Sequence, residues 1–362
     1  LSRLFGNQYI GNGVRSFAIF VQPFGHLGVE LFFVLSGFLI GNILIKIFMQ
    51  ADRFSLHDLL RFWVRRWFRT LPLYWLILTT DILLYHFTNI LNSDRPLILF
   101  YFFLQNLWYP HPLYFFGEAW SLSIEEWFYL TLPVALYIAS RIHFPKNKSR
   151  FLINVFFGYL LVFVTIRFIN AFHPINGPDL DFGIRKVVLF RLDAVMYGVL
   201  FAWLCFFKSA LMSRIKLTLF LASIAGTAIS WYLLTDKGAA LCASTHTATI
   251  TTYAFLFLLI PLLFSLCLPF AGSVKTISSK LLTRFFTHIS KISYSIYLVH
   301  YSLVFIPFFY RLNTTSAKAA VLFYLLYWFI VISLSTLLYH FFERPTMKWR
   351  DKLARDAYKI NN

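Results

Sequence analysis

Apolar runs of about 20 residues recur along almost all of this chain, and they restrict its fold more than any other feature. A helix of that length crosses the roughly 30 Å of hydrocarbon in a bilayer. Hydrocarbon offers no partner to a backbone N–H or C=O, so a buried segment must bond within itself as a helix or close into a barrel. The short alternating segments of a barrel are missing. Hydrophobic residues make up 59% of the chain and aromatics 20%, against 13% charged. The expected class is therefore all-α, a polytopic integral membrane helical bundle with the lipid bilayer as its solvent.

The runs divide the chain into about nine transmembrane spans. They are expected at 28–48, 71–89, 119–140, 151–170, 187–207, 215–235, 248–270, 292–310 and 319–342. The segment 97–108 is too short to cross and reads as re-entrant, interfacial or buried. Residues 50–70 interleave Arg61, Arg65, Arg66 and Arg69 with Phe62, Trp63, Trp67 and Phe68, as in an amphipathic helix on the membrane surface. Pro72 then falls at the start of a span, where its missing N–H costs little. Residues 1–27, rich in Gly and Asn and broken by Pro23 and Gly25, read as an outer-side arm or loop. Residues 28–342 form the transmembrane domain, and 343–362 a charged cytoplasmic tail.

The formal charge of +18 does not point to nucleic acid here. Basic residues collect in cytoplasmic loops of membrane proteins and set their orientation. Alternate loops are rich in them: Arg61 to Arg69, Arg141 to Arg150, Lys208 to Lys216, Lys280 and Arg284, and Arg344 onward. That asymmetry places the C-terminus in the cytoplasm and residue 1 outside. With no signal peptide visible, one more transmembrane helix is expected before residue 1. The three cysteines, Cys205, Cys242 and Cys267, lack metal spacing and read as small apolar residues.

Ala119–Tyr129, AWSLSIEEWFY, carries Glu125 and Glu126 into an apolar run. A carboxylate in hydrocarbon costs on the order of 3 kcal/mol by insertion scales, so it faces a partner, a cavity or a substrate. Ser121, Glu125 and Tyr129 follow at i, i+4 and i+8 and share a helix face. The structural alternative is a carboxylate neutralised by an Arg on a neighbouring helix. Glu126 points away by about 100° and could also pair with an Arg.

Several stretches taken together resemble the acyltransferase 3 family of integral membrane O-acyltransferases. They are GHLGVELFFVLSGFLI at 25–40, RFWVRRWFRTLPLYW at 61–75, WSLSIEEWFYL at 120–130, FRLDAVMYGVLFA at 190–202, ISYSIYLVH at 292–300 and FFERP at 341–345. The resemblance implies an enzyme of a cell inner membrane that moves an acyl group, acetyl above all, from acyl-CoA to a carbohydrate hydroxyl of a surface glycan or glycolipid. Acyl-CoA would be a donor substrate, with no bound cofactor and no metal. The family's first helix carries an Arg and, eleven residues later, a catalytic His. Arg15 and His26 have this spacing, but Pro23 and Gly25 interrupt the stretch, and His26 lies where the family has an inter-helix loop. The expectation is that the first helix is absent from this sequence. His26 and His300 remain the candidates for its base.

Acyl transfer from a thioester needs a base for the acceptor hydroxyl, a stabilised oxyanion and a positioned donor. Arg61, Arg65, Arg66 and Arg69 suit the donor's phosphates, because guanidinium forks bind phosphate bidentately. Positive-inside topology and anionic lipid would select the same cluster. Glu125, one to two turns in from the outer side, is the candidate to orient a His or accept from a sugar hydroxyl, with Ser121 and Tyr129 beside it. Arg191 and Asp193 are candidates for substrate contact, or for an internal ion pair that fixes helix packing. His300 could equally be a hydrogen-bonded core residue. A transporter or flippase without chemistry, and a non-catalytic truncated member, are the competing readings. No internal repeat and no paired broken helices support the former, and no G-x-S-x-G elbow supports a serine hydrolase.

Overall fold

The computed structural model describes residues 12–51, 54–88, 95–112, 115–143, 145–172, 181–233, 246–274, 279–309 and 317–360. Its helices are α1 Asn12–Gln50, α2 Leu56–Thr88, α3 Ile98–Tyr101, α4 Ala119–Ile142, α5 Lys148–Phe172 and α6 Leu192–Phe207. They continue with α7 Ser209–Leu233, α8 His246–Ser265, α9 Leu268–Ala271, α10 Lys280–Val299, α11 Ala317–Leu338 and α12 Arg344–Ile360. Wider π-helical turns prolong α10 over His300–Phe309 and α11 over Tyr339–Glu343. No strand occurs among the described residues. The chain is an all-α polytopic membrane protein.

Among the described residues, six helical stretches are long and apolar enough to cross a membrane: Phe24–Gln50, Lys148–Ala171, Ser209–Leu233, Ala254–Ala271, Lys280–Phe309 and Lys318–Lys352. Helix α6 is apolar but shorter. Helices α2 and α4 have the length but are more polar, since α2 carries Asp81 and its arginines and α4 carries Glu125 and Glu126. Every expected span thus falls in or around a helix, but three expectations about the segments between them are corrected. Residues 12–27 are not a loop: α1 runs without a break through Pro23 and Gly25. A helix interior tolerates such residues in a membrane protein, where neighbouring groups satisfy the freed carbonyls. Residues 1–11 of the expected arm, like Cys242, lie outside the described residues. Second, the surface helix and the span after it are one helix, with Pro72 inside it. Third, residues after Glu343 are not a separate tail, because α12 carries Arg350 back against α2, donating to the Arg65 carbonyl at 3.4 Å.

The expected short segment is helical only over Ile98–Tyr101 and continues as turns. Side chains from the long helices fasten it. Tyr74 Oη donates to the Phe100 carbonyl at 2.8 Å, and Trp127 Nε1 to the Phe103 carbonyl at 2.9 Å. Phe103 itself has φ 57°, a left-handed conformation that costs a non-glycine residue on the order of 1–2 kcal/mol.

Helix α4 stands between two apolar cores. Its Trp120, Ile124, Phe128, Leu132 and Leu136 pack with α1, α5 and α6. Its Ala119 and Leu122 face Tyr74 and Ile77 of α2, Leu298 and Val299 of α10, and Val331 of α11. The most extensive helix contact in the molecule joins α1 to α6, and glycines set its closeness. A Cβ built on Gly37 would lie 1.9 Å from the Val195 carbonyl oxygen, and one on Gly198 would lie 2.1 Å from that of Val34. In lipid, where water provides no hydrophobic drive between helices, such backbone proximity supplies the van der Waals contact that holds them. Cys205 and Cys267 are half-buried.

Gly198→Ala is accordingly expected to destabilise the fold by about 1–3 kcal/mol or more through overpacking. Gly158→Ala, on α5 where nothing lies within 4 Å of the new methyl, is expected to leave stability unchanged. Thermal unfolding of the two variants purified in detergent measures the difference.

Candidate functional site

The stripe read from the sequence is present and buried. Ser121, Glu125 and Tyr129 are all shielded from solvent along α4, at the seam between the two cores. The stripe extends one residue upstream of the helix, to Glu118. Phe116, with φ 43°, and Gly117 bring the chain into that position. Gly117 is required there because a Cβ would stand 2.8 Å from the Tyr301 ring.

Glu125 sits beside the hydroxyls of Ser36 and Tyr129, which hydrogen-bond to each other, and in the field of Arg66 and Glu126. Its Oε1 has no hydrogen-bond partner among the described residues. Trp63 Nε1 donates to the Tyr129 carbonyl at 3.0 Å, and the Arg66 guanidinium lies 5.8 Å from the Tyr129 ring centre. Arg66 also belongs to the wall of a basin of about 600 Å³ between α1, α2 and α12. Arg61, Arg65, Arg69 and Arg350 line the same basin, with Asp58 and Asp351 at its margin. The structure therefore brings the whole predicted arginine cluster into one cavity and adds Arg350, which its distance in sequence concealed. It also makes neighbours of two groups that the charge pattern had assigned to opposite faces. The reason is the course of α2. It does not lie flat on a surface but runs inward, carrying Arg66 against α4.

Glu126 does not pair with an Arg as an ion pair among the described residues. It stands beside Thr70 and Trp67 and lines an apolar cavity of about 550 Å³ with Trp75, Tyr101 and Trp127.

At the other end of the stripe a second polar cluster gathers around Glu118. Its Oε1 accepts from the Ser302 backbone N–H at 3.2 Å and from Ser302 Oγ at 2.6 Å. Tyr297 Oη donates to the Glu118 carbonyl at 3.1 Å and also meets Ser121 Oγ. His300 packs its ring 5.6 Å from that of Tyr297, with Nδ1 2.7 Å from the Tyr297 carbonyl oxygen. Asp81 of α2, fully buried, is close enough to act on Glu118 and stands near Ser302. The sequence reading missed Glu118 and Asp81. Both are acids in apolar surroundings, the same signal that singled out Glu125.

Arg191 and Asp193 do not pair with each other. Arg191 pairs with Glu30 of α1 and donates to the Phe257 carbonyl of α8 at 3.0 Å. Asp193 Oδ1 accepts from Arg167 Nη1 of α5 at 2.9 Å, and Nη2 and Oδ2 stand 2.8 Å apart as an ion pair. The two residues lie either side of the helix start, so their side chains diverge to different neighbours. All four groups are buried, and their packing role is between helices rather than within one. Asp81, Glu118, Glu30 and Arg167 thus join Arg350 among the ionisable residues that only the structure placed.

His26 lies half-buried on α1. At about 1.5 Å per residue it stands roughly 15 Å along the helix from Ser36, the residue beside Glu125. His300 belongs instead with Tyr297, Ser121 and Glu118.

Arg191→Met leaves Glu30 buried and unpaired and is expected to cost about 3–5 kcal/mol of stability. The double variant Glu30→Leu with Arg191→Met is expected to recover most of that loss, because it removes both charges together. Detergent thermal melts of the two provide the check, and equal stability of single and double variants would contradict the pairing.

Residues 4–340 match the model of the acyltransferase domain family. The chain is 26% identical over 379 residues to O-acetyltransferase OatA of Staphylococcus aureus strain NCTC 8325, covering 96% of this chain and 59% of that protein. OatA of strain COL matches to the same extent. The chain thus spans 59% of the length of these relatives. No solved structure matches. With a family match over nearly its whole length, the chain belongs to the acyltransferase 3 family.

Proposed function

We propose that this protein is a membrane-bound O-acyltransferase that takes an acyl group, acetyl by preference, from acyl-CoA and transfers it to a carbohydrate hydroxyl of a surface glycan or glycolipid. The observation that carries the reading is the double position of Arg66. It is at once a wall of a basin lined by four further arginines and a neighbour of the buried Glu125 and Tyr129. A basin of guanidinium forks suits the phosphates of coenzyme A. A donor seated there would have its thioester arm directed toward the stripe. In the transfer the acceptor oxygen bonds to the acyl carbon, the C–S bond breaks, and the hydroxyl proton leaves to a base while the thiolate takes up another.

Glu125 is the group placed to accept that proton or to orient the acceptor, since Oε1 is free of other bonds among the described residues. Ser121, Tyr297, Glu118 and His300 continue the polar track beyond it, and a hydroxyl-rich acceptor fits such a lining. On this reading the basin opens to the cytoplasm, where acyl-CoA is found. The C-terminus lies on that side of a cell inner membrane, as the loop charges require. The relatives named O-acetyltransferases favour acetyl as the group transferred.

Inverted membrane vesicles supplied with radiolabelled acetyl-CoA test the proposal. Label is expected to pass to membrane glycan with the unaltered chain. Glu125→Gln is expected to lower kcat by about 10²- to 10⁴-fold. Arg61→Gln with Arg65→Gln is expected to raise the KM for the donor by about tenfold or more, with less effect on kcat. Transfer that survives unchanged in both variants would remove Glu125 and the basin from the mechanism. No label from an inserted, folded protein would overturn the acyltransferase reading in favour of a carrier without chemistry.

A further inference from the structure

A second basic cavity lies apart from the arginine basin, between the first turns of α10 and the π-helical end of α11. It encloses about 520 Å³. Arg284, Lys291 and Arg344 line it, joined by His288 and by the hydroxyls of Thr287 and Tyr339. Among the described residues no carboxylate lines it, whereas the arginine basin includes Asp58 and Asp351. The nearest acid in sequence, Glu343, is buried and turned the other way, onto Ser295. None of the three cations makes an ion pair among the described residues. Three positive charges converging on one cleft without a counter-charge repel one another, and an anion would relieve that repulsion.

The surroundings say which anion. Phe285 and Phe286 follow Arg284 in the same turn and are 56% and 55% exposed. Phe341, next to His340 on the facing segment, is 79% exposed. None of the three lines the cleft itself, but they are exposed apolar neighbours in sequence of its lining residues, in a protein whose outer surface meets lipid. A free phosphate would gain nothing from them, while a phospholipid would lay its acyl chains across them with its phosphate in the cleft. The cleft is also at the same end of the bundle as the arginine basin, since Arg344 opens the helix that carries Arg350 into that basin. That end is where basic residues would meet a membrane interface, and clefts of this type between transmembrane helices hold anionic headgroups.

We infer that the cleft between α10 and α11 binds the headgroup of an anionic phospholipid, with Arg284, Lys291 and Arg344 on the phosphate and Phe285 and Phe341 against the chains. The site is separate from the proposed donor basin and does not depend on the transfer reaction.

The test is native mass spectrometry of the full chain released from detergent micelles containing phosphatidylglycerol or phosphatidylcholine. Bound phosphatidylglycerol and no bound phosphatidylcholine is the expected result. The triple variant Arg284→Gln, Lys291→Gln, Arg344→Gln is expected to bind phosphatidylglycerol roughly a hundredfold more weakly, at about fivefold per cation. Lys208→Gln, Arg214→Gln, Lys216→Gln removes the same charge near the start of α7 and is expected to change binding by less than about twofold if the site is local. Arg284→Lys with Arg344→Lys, which keeps the charge, is expected to retain most of the binding. Equal loss in both glutamine triples, or loss in neither, would overturn the inference. Loss in the lysine variant as great as in the glutamine triple would overturn it by showing a collapsed cleft. Displacement of the lipid by millimolar inorganic phosphate would overturn the lipid in favour of a free-anion site.

Discussion

Arg167 and Arg191 carry guanidinium groups into the bundle where no solvent reaches them, and the positions of four helices follow from how those charges are met. Removing an ion from water costs several kcal/mol, and only a well-placed counter-charge with further hydrogen bonds offsets it. Glu30 of α1 meets Arg191, and the Phe257 carbonyl of α8 takes another of its protons. Arg167 of α5 pairs with Asp193, through one hydrogen bond and a second close charge contact. The start of α6 is thereby tied to α1, α5 and α8 at one level. Pairs of this kind are weak sources of net stability, but they penalise every alternative arrangement, because any other packing strands a charge. The glycines of α1 and α6 then let the two backbones meet at van der Waals distance just below.

That rigid half supports one side of α4; the α2, α10 and α11 half supports the other. The polar stripe of α4 occupies the seam between them, where side chains from both halves reach a common helix. Ser36 reaches Tyr129 from the first half, while Tyr297 reaches Ser121 and Glu118 from the second. The left-handed Phe116 and the crowded Gly117 sit at the mouth of this seam. Strain of this sort persists only where the surroundings hold it, and here it sets the position of Glu118. At the basin end, Arg66 connects exterior charge to the buried stripe, so a ligand bound among the arginines and a group bound at Glu125 would feel one another directly.

Much of this was legible before any coordinates. Runs of apolar residues long enough for hydrocarbon dictate helices, since lipid leaves the backbone no other partner. The i, i+4, i+8 placement of Ser121, Glu125 and Tyr129 dictates a shared face. The spacing of Arg61, Arg65, Arg66 and Arg69 brings them to one region of one helix. Each is a local property, fixed within a few turns, and each is found. Boundaries were less legible. Pro23 and Gly25 read as breaks and Pro72 as the start of a span, yet α1 and α2 pass through them, because tertiary neighbours and not local propensity decide whether a membrane helix continues.

What only the tertiary structure decided is which distant residues meet. Arg191 and Asp193, two positions apart, read as partners for each other; the helix start sends them to Glu30 and Arg167, which are far away in sequence. Arg350 joins a basin built by residues nearly three hundred positions earlier. Glu118 and Asp81 acquire meaning only when α10 brings Ser302 between them. The physical reason is the same in each case. A charge in a low-dielectric bundle is stabilised by whichever opposite group lies within a few ångströms, and sequence order says little about that distance. The sequence by itself determined the helices, the solvent they demand and the polar face of α4. Packing chose the partners, and through them the place where the stripe and the arginines come together.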